Sequence, residues 1–317
     1  MKPPYLISPK ILQLISSISI KLGEVNAFYL NRQSPKLRKQ NKIRTIHSSL
    51  QIEGNTLTLD QVSAIIDNKI VAGPKKDIQE VLNAIQVYNV LASFNPKSEK
   101  SFLTAHKMLM NGLIENAGNY RNRSVGIIKG SNITHVAPPA RNVPHLMKEL
   151  FDYLKSKDEL TLIKSCVFHY EMEFIHPFMD GNGRMGRLWQ TLILQKEYPV
   201  FEFLPFETLI SSTQNEYYKA LASSDQAGKS TDFIMYMLDV IDRSLAELLN
   251  FNNRVFTDFQ RLEYFLQLGI KEFSRKDYMN VFKDISTATA SRDLLKGTEL
   301  KLIRKQGLKN KTKYIIV

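Results

Sequence analysis

"HPFMDGNGRMGRLW", residues 176–189, crowds one histidine, one aspartate, one asparagine, three glycines and two arginines into twelve positions. The stretch before it, "TLIKSCVFHYEMEFIHPF" (161–178), carries Ile163, Cys166, Val167, Tyr170 and Phe174 at helical spacing, and Leu188, Leu192 and Ile193 continue a helix after it. The loop therefore reads as a turn between two helices, the second starting near Arg184. "GNGRMG" (181–186) formally matches G-x-G-x-x-G, but that motif binds dinucleotides only after a strand and within a βαβ unit, and no parallel-strand pattern surrounds it. A Walker A loop needs a Lys followed by Ser or Thr, which is missing here.

The remaining chemistry is anion binding. Gly181 and Gly183 let the backbone turn and bring its N–H groups close to a ligand, and a helix N-terminus adds further donors. Arg184 and Arg187, three apart, share a helix face and offer two guanidinium forks to successive phosphates. Asp180 makes sense beside phosphates as a Mg²⁺ ligand. His176 is placed to take a proton from an attacking hydroxyl. His169, two helical turns earlier, has no Cys or third His nearby and HExxH is absent, so it reads as a helix-packing residue.

Outward from the loop the chain is mainly helical. Ile11, Leu14, Ile15, Ile18 and Leu22 mark one helix, and a second is expected across residues 36–51. Thr58 with Gln61 forms a capping box for a third, "DIQEVLNAIQVYNVL" (77–91) makes a fourth, and Phe102 to Leu113 a fifth. Residues 118–144 differ: Val125, Ile127 and Ile128, a Gly-Ser-Asn turn, then Ile133 to Val136 predict a short β-hairpin ended by Pro138 and Pro139. Helices resume at 144–156 and 160–174. From about Asn253 the order helix, helix, strand pair is that of a winged helix-turn-helix. The fold class is thus mainly α, with a short β-hairpin and a C-terminal winged helix; the family resemblance given below implies a helical bundle in which the hairpin is a flap. The divisions fall at 1–95, 96–250 and 251–317.

Composition narrows the classes. A formal net charge of +12 over 317 residues favours polyanionic partners. The single cysteine, Cys166, excludes disulfides within the chain and fits a reducing cytoplasm. No run of eighteen apolar residues exists, so no membrane span is expected. From Arg254 to Val317 there are fourteen Lys or Arg against seven Asp or Glu. This leaves open both DNA contact through "STATASRDL" and a solvated basic surface for protein contacts.

"HPFMDGNGRMGR" resembles the signature of the Fic domain family, HPFx[DE]GNGRxxR, at every fixed position. "GNYR" (118–121), "VAPPARNVPHLM" and "NEYYKAL" (215–221) resemble further landmarks of that domain, over roughly residues 100–240. "SSLQIEGNTLT" resembles the family's inhibitory helix, [ST]xxxE[GN], through Ser49, Glu53 and Gly54. The resemblance implies AMP transfer from ATP, with Mg²⁺, to a hydroxyl of a target protein (Ser, Thr or Tyr, the chain itself included). His176 would be the general base, Phe178 the loop anchor and Asp180 the metal ligand. Gly181, Asn182, Gly183 and Gly186 would belong to the anion cradle. Arg184 would meet the β-phosphate, Arg187 the γ-phosphate, and Tyr217 and Tyr218 the nucleoside. Ile133, Thr134, His135 and Val136 would form a flap pairing with the target by strand addition. Asp225 stands where many relatives carry Asn. Gly181 and Arg184 stand where phosphorylating relatives carry Ala and Lys, which favours nucleotidyl transfer. Glu53 would pair with Arg187 and inhibit, or else position a water for removal of AMP. A homodimer and a DNA contact are the remaining partner expectations.

Overall fold

The computed structural model describes residues 2–28, 35–129, 132–253, 258–266, 270, 272–282, 285–307 and 312–316; the side chains of 26–28, 35–37, 126–129, 132–136, 250–253 and 260 lie outside the description. The chain divides into two compact units, residues 1–249 and 250–317.

In the first unit, α1 (Pro9–Phe28) buries Ile11, Leu14, Ile18 and Leu22, the stripe its spacing predicts. α2 (Pro35–Ile52) ends in a Schellman turn. Gly54 adopts φ 89, its N–H reaches the Gln51 carbonyl at 3.0 Å, and the Asn55 N–H reaches Leu50 at 3.1 Å. Glu53 is thereby the last residue before the chain reverses. α3 (Leu59–Ile66) carries the expected capping box: the Gln61 N–H donates to Thr58 Oγ1 at 3.2 Å and the Thr58 N–H to Gln61 Oε1 at 2.8 Å. α4 (Lys75–Val90) and α5 (Glu99–Leu109) follow. α5 starts earlier than its apolar spacing indicated, because Ser98 caps it by accepting from the Ser101 N–H, and it stops before Gly112 at φ 70.

The hairpin pairs β1 (Gly126–Lys129) with β2 (Asn132–Val136), with a register shift between Ile127 and Ile128; the Gly130–Ser131 turn lies outside the described residues. α6 (Val143–Lys155), α7 (Thr161–Ile175) and α8 (Asn182–Gln195) form the centre. Both α7 and α8 are buried on nearly all faces, so their buried polar groups need internal partners: Lys164 Nζ donates to the Ser156 carbonyl at 2.9 Å and Ser165 Oγ to Leu162 at 2.8 Å. Phe102 of α5 sits among Phe151, Phe168, Phe178 and Trp189, at centroid distances of 5.1–6.1 Å. This aromatic cluster underlies the glycine loop. α9 (Glu207–Ser212), α10 (Gln214–Ala227) and α11 (Thr231–Asn253) complete the bundle.

The second unit runs α12 (Asp258–Leu266), β3 (Glu272–Phe273), α13 (Arg275–Val281), α14 (Thr287–Glu299), β4 (Ile303–Gln306) and β5 (Lys313–Ile316). The helix pair and strand pair stand where the sequence placed them. The structure adds α12 and the two-residue β3, which completes an antiparallel sheet in the order β3-β5-β4. Two residues are too few to show an alternation, so β3 leaves no trace in a periodicity reading. Its own core holds Leu262, Phe265, Phe273, Tyr278, Ala290, Leu294 and Ile303.

Candidate active site

α7 ends at Ile175, and His176 takes a left-handed conformation, φ 50 and ψ 61. A non-glycine residue there is strained by about 1–2 kcal/mol, so neighbouring contacts must hold it. The loop beyond is closed by its own side chains. Asn182 Oδ1 accepts from the Phe178 N–H at 2.9 Å and Asn182 Nδ2 donates to the Phe178 carbonyl at 3.0 Å. The Asn182 side chain is thus spent inside the loop, and only its backbone faces outward chemistry. Phe178, fully buried, lies flat on His106 with centroids 3.5 Å apart. His106 accepts the Gly118 N–H at Nδ1 (2.9 Å) and donates from Nε2 to the Asp180 carbonyl (3.0 Å). This bonding assigns the neutral tautomer, and burial pushes its pKa down to about 4. Gly181 needs its glycine twice: φ is 85, and a Cβ would sit 2.7 Å from Met110 Sδ.

α8 begins at Asn182, two residues earlier than expected, because Gly181 acts as its N-cap. Both motif arginines point into the protein. Arg184, 4% exposed, donates from Nη1 to Glu80 Oε1 of α4 at 3.0 Å and from Nη2 to Asp180 Oδ1 at 3.2 Å. Arg187, fully buried, donates from Nη2 to Glu53 Oε1 at 2.7 Å and to the Ser49 carbonyl at 2.8 Å, and from Nε to Ser49 Oγ at 3.2 Å. Burial is the largest single influence and works against the charge of Arg187, but Glu53, Tyr217 and Glu173 together outweigh it and raise the pKa. A Cβ at Gly183 would lie 2.2 Å from Glu53 Oε1, so the glycine leaves the space the carboxylate fills. Two buried donors, Arg184 Nε and Arg187 Nη1, have no partner among the described residues.

Glu53, Asp180 and Gly183 border a cavity of about 660 Å³, while Arg184 and Arg187 stand off its wall. Its wall includes His176, Asp180, Gly183, Glu53, Tyr218 and Asp225. His176 Nδ1 is 3.4 Å from the Glu173 carbonyl, a contact that favours the proton on Nδ1 and leaves Nε2 as the acceptor. Asp180 is 49% exposed on its side chain, and its Oδ1 accepts the Gly181 N–H at 2.6 Å. Tyr217 and Tyr218 meet edge to face at 5.3 Å. Asp225 Oδ1 accepts from the Tyr170 hydroxyl at 2.8 Å.

Of the expected site residues, Glu53, His176, Asp180, Gly181, Asn182, Gly183, Tyr217 and Tyr218 line this cavity. Arg184, Arg187 and Gly186 do not, and of these Gly186 is a packing glycine. It sits in α8 where a Cβ would be 2.6 Å from His169 Cδ2, so it serves the close approach of α7 and α8. His169 is the packing residue expected: Nδ1 donates to Gln190 Oε1 (2.6 Å), Nε2 accepts from the Tyr217 hydroxyl (3.1 Å), and burial lowers its pKa to about 3. Ile133, Thr134, His135 and Val136 lie on β2, with side chains outside the described residues. Glu80 and His106 were missed. Each had a signal, a polar residue on an apolar stripe: Glu80 aligns with Ala84 and Val87, and His106 with Phe102 and Leu109.

Residues 96–194 match the Fic/DOC family. A solved structure described as a Fic family protein from Desulfovibrio desulfuricans G20 is 39% identical. It covers 100% of this chain and 98% of its own, with a TM-score of 0.79. Fic-1 from C. elegans (residues 134–508) is 20% identical, with a TM-score of 0.62 over 76% of this chain and 72% of its own, a likeness of fold. Among curated proteins, "Protein adenylyltransferase Fic" of Drosophila willistoni is 26% identical over 242 residues, 73% of this chain and 46% of that protein. The protein of that name in Nematostella vectensis is 27% identical over 254 residues, 75% and 57% respectively. This chain spans about half the length of the curated relatives it matches.

Proposed function

The chain belongs to the Fic family, and from that premise we propose that it is a protein adenylyltransferase. The observation that carries the reading is the pair of buried donors, Arg184 Nε and Arg187 Nη1, that have no partner among the described residues. An unmade buried hydrogen bond costs about 1–3 kcal/mol, and in this reading the phosphates of the nucleotide would supply the missing acceptors once the carboxylates around the arginines give way. In this reading ATP lies along the cavity, with its β- and γ-phosphates toward the arginines and its nucleoside toward Tyr217 and Tyr218. The target hydroxyl oxygen bonds to the α-phosphorus, the bond to the bridging oxygen breaks, and pyrophosphate leaves with that electron pair. The hydroxyl proton passes to His176 Nε2. Asp180, exposed at the cavity wall and the sole motif carboxylate, fits Mg²⁺ held by one carboxylate plus the substrate's own phosphates; among the described residues there is no larger ligand cluster. Bound there, the ion neutralises charge developing on the phosphates.

Glu53 acts as an inhibitor. Its carboxylate occupies the Arg187 fork at 2.7 Å, where a γ-phosphate carries the same sign of charge and needs the same donors. The Schellman turn at Gly54 holds it there. Incubation with labelled ATP tests both points. Glu53→Gly is expected to raise protein labelling by about tenfold or more, as a misaligned reactant gains its attack geometry. His176→Ala in that background is expected to abolish labelling while ATP binding persists. Labelling that survives His176→Ala removes the base role; labelling unchanged by Glu53→Gly removes the inhibitory one. Loss of label from a pre-labelled protein only when Glu53 is intact would favour AMP removal instead.

A DNA contact through the second unit is supported by α14, which opens with the cap Ser286 and exposes Thr287, Ala288 and Arg292. Binding that weakens steeply as salt rises tests it.

A further inference from the structure

We propose that Arg121 is the positioning residue that holds His176 in its reactive place and keeps it in register with the base of the hairpin; this rests on the transfer reading above. Arg121 lies in the segment between α5 and β1 and is 3% exposed. Its backbone N–H donates to the Pro177 carbonyl at 2.8 Å. Its guanidinium donates from Nε to the His176 carbonyl at 2.7 Å, and from Nη2 to the Ile175 carbonyl at 3.2 Å. Three successive carbonyls at the end of α7 are therefore bound by one residue. The same fork reaches the hairpin on both sides: Nη1 donates to the Arg123 carbonyl at 2.9 Å, before β1, and Nη2 to the Pro138 carbonyl at 2.5 Å, after β2.

Each partner is a neutral carbonyl oxygen. Burial lowers the Arg121 pKa, and no carboxylate pairs with the guanidinium among the described residues. What favours the charge here is the carbonyl end of α7, where the helix dipole is negative and the last oxygens lack helical donors. His176, left-handed at φ 50, is a place where a helix end needs such support. A lysine cannot replace the arrangement, because an ammonium is a point donor and the three segments are spanned by a plane. A target strand docked on the hairpin is thus held at a fixed offset from His176 through one rigid group. The His176 Nδ1 contact with Glu173 sets the ring, and Arg121 sets the backbone beneath it.

The test uses the full chain carrying Glu53→Gly, with self-labelling from labelled ATP as the probe, and adds Arg121→Lys or Arg121→Ala. The expected result for either is a fall in kcat of about a hundredfold, the size of a roughly 1 Å misplacement, with KM for ATP unchanged. Amide exchange should quicken together at 132–137 and 176–178, while the fluorescence melt of Trp189 holds. Millimolar guanidinium should restore part of the Ala variant's rate and none of the Lys variant's. A Lys variant with the parent's rate overturns the proposal. So does a rise in KM for ATP accompanied by faster exchange throughout 1–249, which marks a role in folding alone. If the Glu53→Gly parent itself does not label, the transfer reading fails. The exchange measurement then still decides, since unchanged exchange at both segments overturns the assignment of Arg121.

Discussion

Each unit of this protein buries arginine, and the two do so for different ends. In the second unit Arg261 meets Asp293 with a full fork, Nε to Oδ2 at 2.5 Å and Nη2 to Oδ1 at 2.9 Å, and the Tyr278 hydroxyl adds a third bond to the same carboxylate at 3.1 Å. Asp293 is 1% exposed. That carboxylate is used up by the fold. In the first unit Arg184 and Arg187 are buried as deeply, Arg184 meets Glu80 and Asp180 and Arg187 meets Glu53, and each keeps a donor without a partner among the described residues. Glu207 keeps an oxygen in the same condition. A stability-driven pair closes its hydrogen bonds; on the reading proposed above, the pairs of the first unit leave some open for a ligand to close.

The largest effect is expected where the pair is closed. Arg261→Ala should cost about 3–5 kcal/mol by stranding Asp293 as an unpaired buried charge. The loss should appear as collapsed amide protection in α12, α13 and α14, while the fluorescence melt of Trp189, which reports the first unit, stays put. Arg261→Met with Asp293→Leu should recover most of it, since apolar replacement of both partners removes the stranded charge. A single variant as stable as the parent would break the contrast.

A smaller effect is expected at Arg184→Lys. The ammonium can still meet Glu80, so the fold should hold. The planar fork and its open Nε are lost, and ATP should bind more weakly by about 1.5–3 kcal/mol, the worth of a hydrogen bond to a charged group. AMP binding should not change, because AMP has no β-phosphate. Calorimetric titration of both nucleotides separates the cases, and equal losses would take Arg184 out of phosphate binding.

The smallest effect, per pH unit, concerns Glu207. Burial raises its pKa to about 7, with the Thr191 hydroxyl at 3.2 Å working in the opposite direction. A carboxyl raised above its ordinary value contributes stability that is complete below the unfolded value and fades as pH rises through the folded one. Between pH 4.5 and 7, Glu207→Gln should therefore gain on the parent by about 1.4 kcal/mol per pH unit. Urea melts of Trp189 fluorescence at several pH values measure this. A constant difference across the window would mean that Glu207 is compensated like Asp293.

The amino-acid sequence by itself determined what depends on neighbours along the chain. The stripe of Ile11, Leu14, Ile18 and Leu22, the Thr58–Gln61 capping box and the glycine that ends α2 at Glu53 are local patterns, and helix period, caps and turns are local physics. The density of Gly, Asn, Asp and Arg in residues 176–187 is equally local, and it is what points to the anion loop proposed above. Contact between Glu53 and Arg187, 134 residues apart, was legible only through the family resemblance. Tertiary structure alone decided which groups the arginines meet. Glu80 of α4 reaches Arg184 of α8 although α4 packs mainly against α2, α3 and α5, and no spacing within α4 encodes that partner. His106 and Arg121 bind backbone carbonyls, which every residue possesses, so nothing in the partner's identity announces the bond. Asn182 turned inward for the same reason, closing its own loop on Phe178. Side-chain chemistry is written residue by residue, but whether a buried donor ends up satisfied depends on how helices pack, and that packing is what separates Arg187 from Arg261.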